Sequence, residues 1–435
     1  MKKREKEFIL ILLLSGVIGT CVGVLVSLFH KAIDFVLDHK IEAVQIYWPW
    51  PQNIWIAYML LSSIMVFLSV YLVKHFSPEA AGSGIQEIEG VVGNKRTMHE
   101  VRVIVVKFLG GLFSIGGGMA MGREGPSVQI GGAFGQLVSQ RFNLRREDIN
   151  VLIAAGAGAG LAATFNAPLA GLLFVFEEMR KEIRYTYIPV QSVLTATIMS
   201  VISLRLIVGN NISIPIDDLI IPSVDKLWIF AVFGLFFGVL GFIFNKYLVS
   251  FTTGVANLNT ISSNFLTLLI GAIIGLLCYF YPDSVGEGYS AIASALHNHL
   301  TLWTLLILFS IRFLTTLLSY GTGAPGGIFA PMLALGTLFG VAFGLMSYEL
   351  FPTLHIEPIV FAVVGMSALF SATVRAPITG IVLVAEMTSS FDLLMPLLIT
   401  SLSSVIVANA LGGRAIYTVL LEKTLKISKF GTKKV

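Results

Sequence analysis

Charge is what this chain has least of. Asp, Glu, Lys and Arg make up 12% of its 435 residues, about half the share of an ordinary soluble domain. With 55% hydrophobic residues, that shortage excludes a soluble globular protein and leaves an all-α polytopic membrane protein. There are two cysteines, Cys21 and Cys278; both sit in apolar runs and read as inert core residues, silent on redox compartment. The seven histidines form no ligand set, since His297 and His299, two apart, diverge on a helix, so no metal site is expected. Neither a GxxxxGK(S/T) loop nor HExxH occurs, which removes ATP-driven and metalloprotease chemistry. No cofactor is expected, and the chain is not read as an enzyme. Its net charge of +4 comes from short basic clusters and not from a folded basic face, so nucleic acid is no partner.

Long apolar runs are abundant. Residues 8–29 carry no charge and are long enough for a bilayer core of about 30 Å, without the short apolar centre and cleavage site of a signal peptide. Roughly ten further runs follow, among them 53–73, 151–176, 227–244 and 301–311. Lys and Arg crowd residues 2–6, 141–146, 180–184 and 423–434. The positive-inside bias therefore places both termini in the cytoplasm of a multi-pass protein of the inner (plasma) membrane. After Tyr417 only 18 residues remain, so 421–435 is expected to be a basic cytoplasmic tail on a single membrane domain.

The 42 glycines fall in clusters at 116–118, 156–160 and 321–327, which points to broken helices, tolerated at membrane depth where backbone is buried in protein or lines a cavity. The sharpest break is MGREGPSVQIGG, residues 121–132. Pro126 suits a first helical turn, and Gly122 and Gly125 let backbone amides approach a guest. A helix start bearing unpaired N–H groups favours an anion. Glu124 is itself an anion placed where a free one would bind, and a carboxylate that can be displaced is a gate a proton can operate. The plain alternative is a loop pair between Glu124 and Arg123.

The chain also repeats. At an offset of 205, Gly122, Pro126, Gly131, Phe134 and Gly135 meet Gly327, Pro331, Gly336, Phe339 and Gly340, and Glu124 meets Phe329. At 209, Ala167, Pro168, Gly171, Val175 and Glu177 meet Ala376, Pro377, Gly380, Val384 and Glu386. Two related halves, roughly 8–209 and 227–420, are expected to share one midplane site where interrupted helices meet. A third break, GSGIQEIEG at 82–90, offers the Ser83 hydroxyl beside flexible backbone.

Two more features carry chemistry. FVFEEMRKEIR, 174–184, closes an apolar helix and reads plainly as a helix end emerging into cytoplasmic water with its charges paired three and four apart. Glu177 and Glu178 nevertheless fall on different faces, so one can face inward as a proton port. Tyr417, near the end of the last apolar element, is either an interface anchor or an O–H donor to an anion.

At these residues the sequence resembles the CLC family of chloride channels and chloride/proton antiporters. GSGIQEIEG, GREGPSVQIGG, NAPLAGLLFVFEEM, GAPGGIFAPMLALGTLFG and GGRAIYTVL are similar to its signature blocks, in its order, over about residues 8–425. The resemblance implies a CLC-type fold of two inverted-topology repeats with re-entrant helices, assembled as a homodimer in the lipid bilayer, and it implies chloride/proton antiport. It assigns Ser83 and Tyr417 as hydroxyl ligands of chloride and Ile328 with Phe329 as backbone ligands. Gly122, Arg123, Gly125 and Gly327 are the supporting backbone. Glu124 becomes the external gate and Glu178 the internal proton-transfer glutamate, which family channels replace. Serine at 83 is similar to the chloride-preferring form. Gln86 stands where relatives often have proline, and the regulatory CBS modules of some relatives find no counterpart in this sequence. The rival readings are a passive chloride channel on the same fold, a sodium-coupled transporter and an intramembrane hydrolase built on Ser83, for which no histidine partner stands out.

Overall fold

A computed structural model of the chain describes residues 3–142, 144–184, 186–210, 214–216, 219 and 221–431. Lys2 of the first basic cluster and residues 432–435 of the tail lie outside the described residues. The first half comprises α1 (Lys3–Tyr47), α2 (Ile54–Phe76), α3 (Ile85–Val92), α4 (Glu100–Gly116), α5 (Glu124–Ser139), α6 (Arg146–Phe165), α7 (Pro168–Glu178) and α8 (Tyr187–Val208). The second comprises α9 (Trp228–Ala256), α10 (Thr260–Phe280), α11 (Tyr289–His297), α12 (Leu302–Gly321), α13 (Phe329–Leu350), α14 (Pro358–Val374), α15 (Pro377–Thr388) and α16 (Leu394–Ala410). Each of these eight has its mate in the first half. α17 (Ile416–Gly431) has none, so the second repeat ends before Tyr417, and the stretch expected as a tail continues a helix through its described residues.

Among the described residues nine helices are long and apolar enough to cross a membrane by length and composition. The run 151–176, expected as one element, is two helices. Asn166 turns left-handed at φ 55°, and Pro168 has no N–H to carry α6 onward, so α7 starts afresh. Arg375 (φ 70°) and Pro377 repeat the break between α14 and α15.

The halves are inverted, and named contacts establish it. Lys74, near the end of α2, donates to Ser263 and Asn264 at the start of α10 (3.0 and 3.1 Å). Tyr58, near the start of α2, packs on Tyr279 at the end of α10. Two mated spans therefore run antiparallel. Near the breaks the same relation is seen atom by atom: Gly122 and Gly327, mates in sequence, exchange N–H···O bonds of 3.0 and 2.7 Å. Glu177 accepts from the Ile378 and Thr379 amides at 3.1 and 2.6 Å, and its mate Glu386 accepts from Leu169 and Ala170 at 3.2 and 2.8 Å. Each carboxylate thus caps the other repeat's Pro-initiated helix, satisfying orphan donors.

The core sits around α5, α6, α13 and α14. Glycine permits this: a Cβ on Gly131 would overlap the Gly156 carbonyl of α6, and one on Gly336 the Gly365 carbonyl of α14. The apolar windows of α6 and α13 are 89% and 78% buried, against 33–50% for the other spans, so the outer spans present their side chains, such as Leu13, Ile261 and Trp303, to the surroundings. The basic clusters gather at one end of the molecule. Phe8 stacks near Tyr187, Arg146 reaches Asn94, Lys95 pairs with Glu182 at 3.1 Å, and Lys181 acts on Glu422 of α17.

Candidate anion site

The breaks before α5 and α13 bring two helix starts together at the Gly122–Gly327 bridge. Glu124 opens α5 and is fully buried. An unpaired carboxylate there would cost many kcal/mol. Its Oε1 instead accepts the Phe329 amide at 2.6 Å and lies 3.4 Å from that of Ala330, both at the start of α13. The sequence places this anion at its own helix start; the structure seats it on the other half's. Oε2 is buried and, among the described residues, has no hydrogen-bond partner. The loop pair with Arg123 does not form, because Arg123 is committed elsewhere: Nε lies 2.7 and 2.9 Å from the two carboxylate oxygens of Glu287, Nη2 bonds the same carboxylate, and Nη2 also meets Asp34 at 3.0 Å.

Four residues were expected to support the anion through backbone. Gly122 and Gly327 spend their N–H groups on each other, and Arg123 donates its own to Glu287 at 3.1 Å. The part of the three glycines is to make room. A Cβ on either Gly122 or Gly327 would overlap the Glu124 carboxylate, and one on Gly125 would lie 2.5 Å from Ser83 Oγ.

Ser83 and Tyr417 are both fully buried, their side chains lie close to one another, and among the described residues neither hydroxyl meets a protein partner within hydrogen-bond distance. An orphaned buried hydroxyl costs about 1–3 kcal/mol, so a pair of them facing one place marks a site built for a guest. Tyr417 packs on the Phe329 ring, centroids 6.0 Å apart, and lies close enough to Ser83, Glu124 and Glu178 to feel each of them. That position excludes the interface-anchor reading. Ile328, also fully buried, is the N-cap residue of α13. Nearby, Arg414 and Glu422 form an exposed pair that fixes the start of α17; the Arg414 hydrogen bond holds the Glu422 carboxyl below its ordinary range.

Glu178, at the end of α7, stands apart from this cluster and bonds to none of it among the described residues. It is half-buried, and Glu89, Arg180, Glu177 and Glu182 act on it. The two adjacent glutamates do diverge, Glu177 to cap α15 and Glu178 toward this charged group.

Sequence reasoning missed the struts. Lys107 of α4 is fully buried and donates to the carbonyls of Ala80 and Gly82 at 3.0 and 2.6 Å. Its mate Arg312 of α12 does the same for Asp283, Val285 and Gly286 at 2.8–2.9 Å. Each cation turns away the carbonyls of a loop whose next residues are needed for something else. Tyr320 is a third: its hydroxyl lies 3.4 Å from the Ser83 amide, and with Gly82, Gln86 and Lys423 it lines a cavity of about 380 Å³. The signal was present as a cation inside the apolar stretch of each of two mated helices, Lys107 in α4 and Arg312 in α12.

The fold and this site define an inverted-repeat membrane protein with an anion seat where its halves meet. Residues 65–409 match the family described as voltage gated chloride channel, and the chain belongs to that family, the CLC proteins. It is 46% identical over 423 residues to the "H(+)/Cl(-) exchange transporter ClcA" of Vibrio parahaemolyticus, covering 96% of this chain and 91% of that one. Among solved structures it is similar to a slow cyanobacterial Cl−/H+ antiporter, with TM-score 0.92, 41% identity and coverage of 96% and 98%. A eukaryotic CLC transporter shares the fold at TM-score 0.81 and 24% identity, over 96% of this chain and 74% of that one.

Proposed function

We propose that the protein exchanges chloride for protons, with Glu124 as outer gate and Glu178 as the inner proton-transfer group. The observation that carries this is the Glu124 carboxylate seated on the Phe329 amide at 2.6 Å, beside two unpartnered hydroxyls. The similarity to named exchange transporters favours exchange over a passive channel. Chloride is held by Ser83, Tyr417 and the Ile328 and Phe329 amides, with no full positive charge among its ligands. Dipolar ligands hold an ion without trapping it; each helix end contributes about 0.3–2 kcal/mol. Ionised Glu124 and chloride compete for the Phe329 amide. A proton on Glu124 removes the charge that makes that bond strong, roughly halving it, and chloride takes the seat. When the proton leaves toward Glu178, the carboxylate returns and expels the ion. One seat cannot hold two anions, so the fluxes are coupled. The protein acts in the inner membrane as a homodimer with both termini cytoplasmic.

The test is reconstitution in liposomes under combined chloride and pH gradients. An exchanger reverses at a potential set by both gradients, a channel at the chloride potential alone. Glu178→Gln is expected to pass chloride while moving no protons; retained proton transport in that variant refutes its role.

A further inference from the structure

The repeat relation reaches a residue that the exchange mechanism leaves unused. Around the loop before α3 the offset between halves is 204: Pro78, Gly82 and Gly84 meet Pro282, Gly286 and Gly288. The structure honours this pairing. Gly82 and Gly286 adopt φ of 60° and 66°, and Gly84 and Gly288, φ 84° and 113°, are the N-caps of α3 and α11. Gly82 N–H bonds Gly323 O at 3.2 Å, and Gly286 N–H bonds Gly118 O, the mate of Gly323, at 3.0 Å. GSG in the first half is therefore GEG in the second, and the mate of Ser83 is Glu287.

Glu287 accepts the main-chain N–H of Arg123 at 3.1 Å and the guanidinium of the same residue. Arg123 is the N-cap of α5, and its mate Ile328 is the N-cap of α13. The contact Glu287–Arg123 is thus the counterpart of Ser83–Ile328, the pair assigned to chloride. We infer that the second repeat keeps the counterpart of the chloride site and that the Glu287 carboxylate fills it as a tethered anion, a reading that rests on the chloride assignment above. A short hydroxyl at 83 leaves the first site to a mobile halide, whereas two more carbons and a carboxylate at 287 close the second.

Access is mirrored as well. The cavity of about 380 Å³ beside Gly82 and Gly323 has a counterpart of about 290 Å³ lined by Gly286, Gly118, Lys40, Tyr289 and Glu287 itself. The charged groups facing Glu287 are Arg123, Asp34 through Arg123, Arg312, Glu124 and, lining that cavity, Lys40 and Asp38, with the Tyr289 phenol beside it. Removing the carboxylate leaves Arg123 paired only with the exposed Asp34, its Nε and its helix-start amide both free, a combination that takes a small monovalent anion.

The experiment is Glu287→Ser, crystallised in bromide and located by anomalous scattering. One halide more than in wild type is expected, within hydrogen-bond distance of the Arg123 main-chain N–H, and halide titration by calorimetry is expected to count one further site per chain. A variant showing the Ser83–Tyr417 halide and no other overturns the inference; loss of that halide from wild type overturns the chloride assignment instead. If Glu287→Ser does not fold well enough to crystallise, Glu287→Ala in detergent decides: its thermal midpoint is expected to climb with bromide, relative to gluconate at equal ionic strength, more than that of wild type. Equal slopes overturn it.

Discussion

Gly122→Ala tests the seat without touching the carboxyl group. A Cβ on Gly122 would overlap Glu124 Oε2 and lie 2.7 Å from Cδ and 2.8 Å from Oε1; its three nearest atoms are all the end of that one side chain. Gly122 does not need left-handed backbone, since it is not among the positive-φ glycines, and its bridge to Gly327 uses main-chain atoms alone. The added methyl therefore moves the carboxylate and leaves the scaffold. The seat loses a charge-assisted hydrogen bond worth about 1.5–3 kcal/mol, a ten- to roughly 150-fold fall in occupancy by Glu124. Chloride efflux and proton uptake, recorded together from loaded liposomes, are the readout. Chloride flux is expected to persist at alkaline pH, where wild type is closed by its carboxylate, and protons moved per chloride are expected to fall. On a Glu124→Gln background the same methyl should add little, because there is no anion left to evict. Unchanged coupling and pH dependence in Gly122→Ala would refute the shared seat.

Two further outcomes follow from the same contacts. Ser83→Ala and Tyr417→Phe each remove an orphaned buried hydroxyl; chloride affinity by calorimetry is expected to fall several-fold while the thermal midpoint without halide holds or rises, since nothing in the protein loses a partner. Glu386→Ala strips the cap from the Leu169 and Ala170 amides and is expected to cost about 0.5–2 kcal/mol, read as a lower midpoint in detergent; Glu177→Ala is expected to lower it further, since it strips the Ile378 and Thr379 amides and the Thr379 hydroxyl as well.

The repeat and the breaks were legible because glycine and proline report backbone demands directly. Pro168 and Pro377 open the helices after each break, and Gly122 and Gly327 leave room for the Glu124 carboxylate between the halves, whichever way the halves face. The boundary inside 151–176 was not legible from hydropathy, since Asn166 is one polar residue in an apolar run and only its left-handed turn makes it a stop. Lys107, Arg312 and Glu287 escaped for another reason. Each is charged in an apolar context, which marks it as functional or costly, but nothing in sequence says which carbonyl or amide meets it. Only the folded halves bring Gly82 to Lys107 and the Arg123 amide to Glu287.

Where the repeats agree, the agreement builds scaffold: glycine on glycine at the helix crossings, cation on carbonyls before α3 and α11, carboxylate on the starts of α7 and α15. Where mates differ, the site appears. Glu124 faces a phenylalanine mate, Ser83 a glutamate, Arg123 an isoleucine. A perfectly symmetric pair of helix starts would offer two equal anion seats and two opposed routes through one molecule. Replacing one mate in each pair gives the first half a movable carboxylate and a short hydroxyl, and leaves the second half to supply bare amides at Phe329 and Ala330. The α5 start holds Glu287 on the Arg123 amide; the α13 start holds Glu124 on the Phe329 amide and, on the proposed exchange, is the one a halide contests. The asymmetry of the site therefore comes from the few positions at which duplication was not kept.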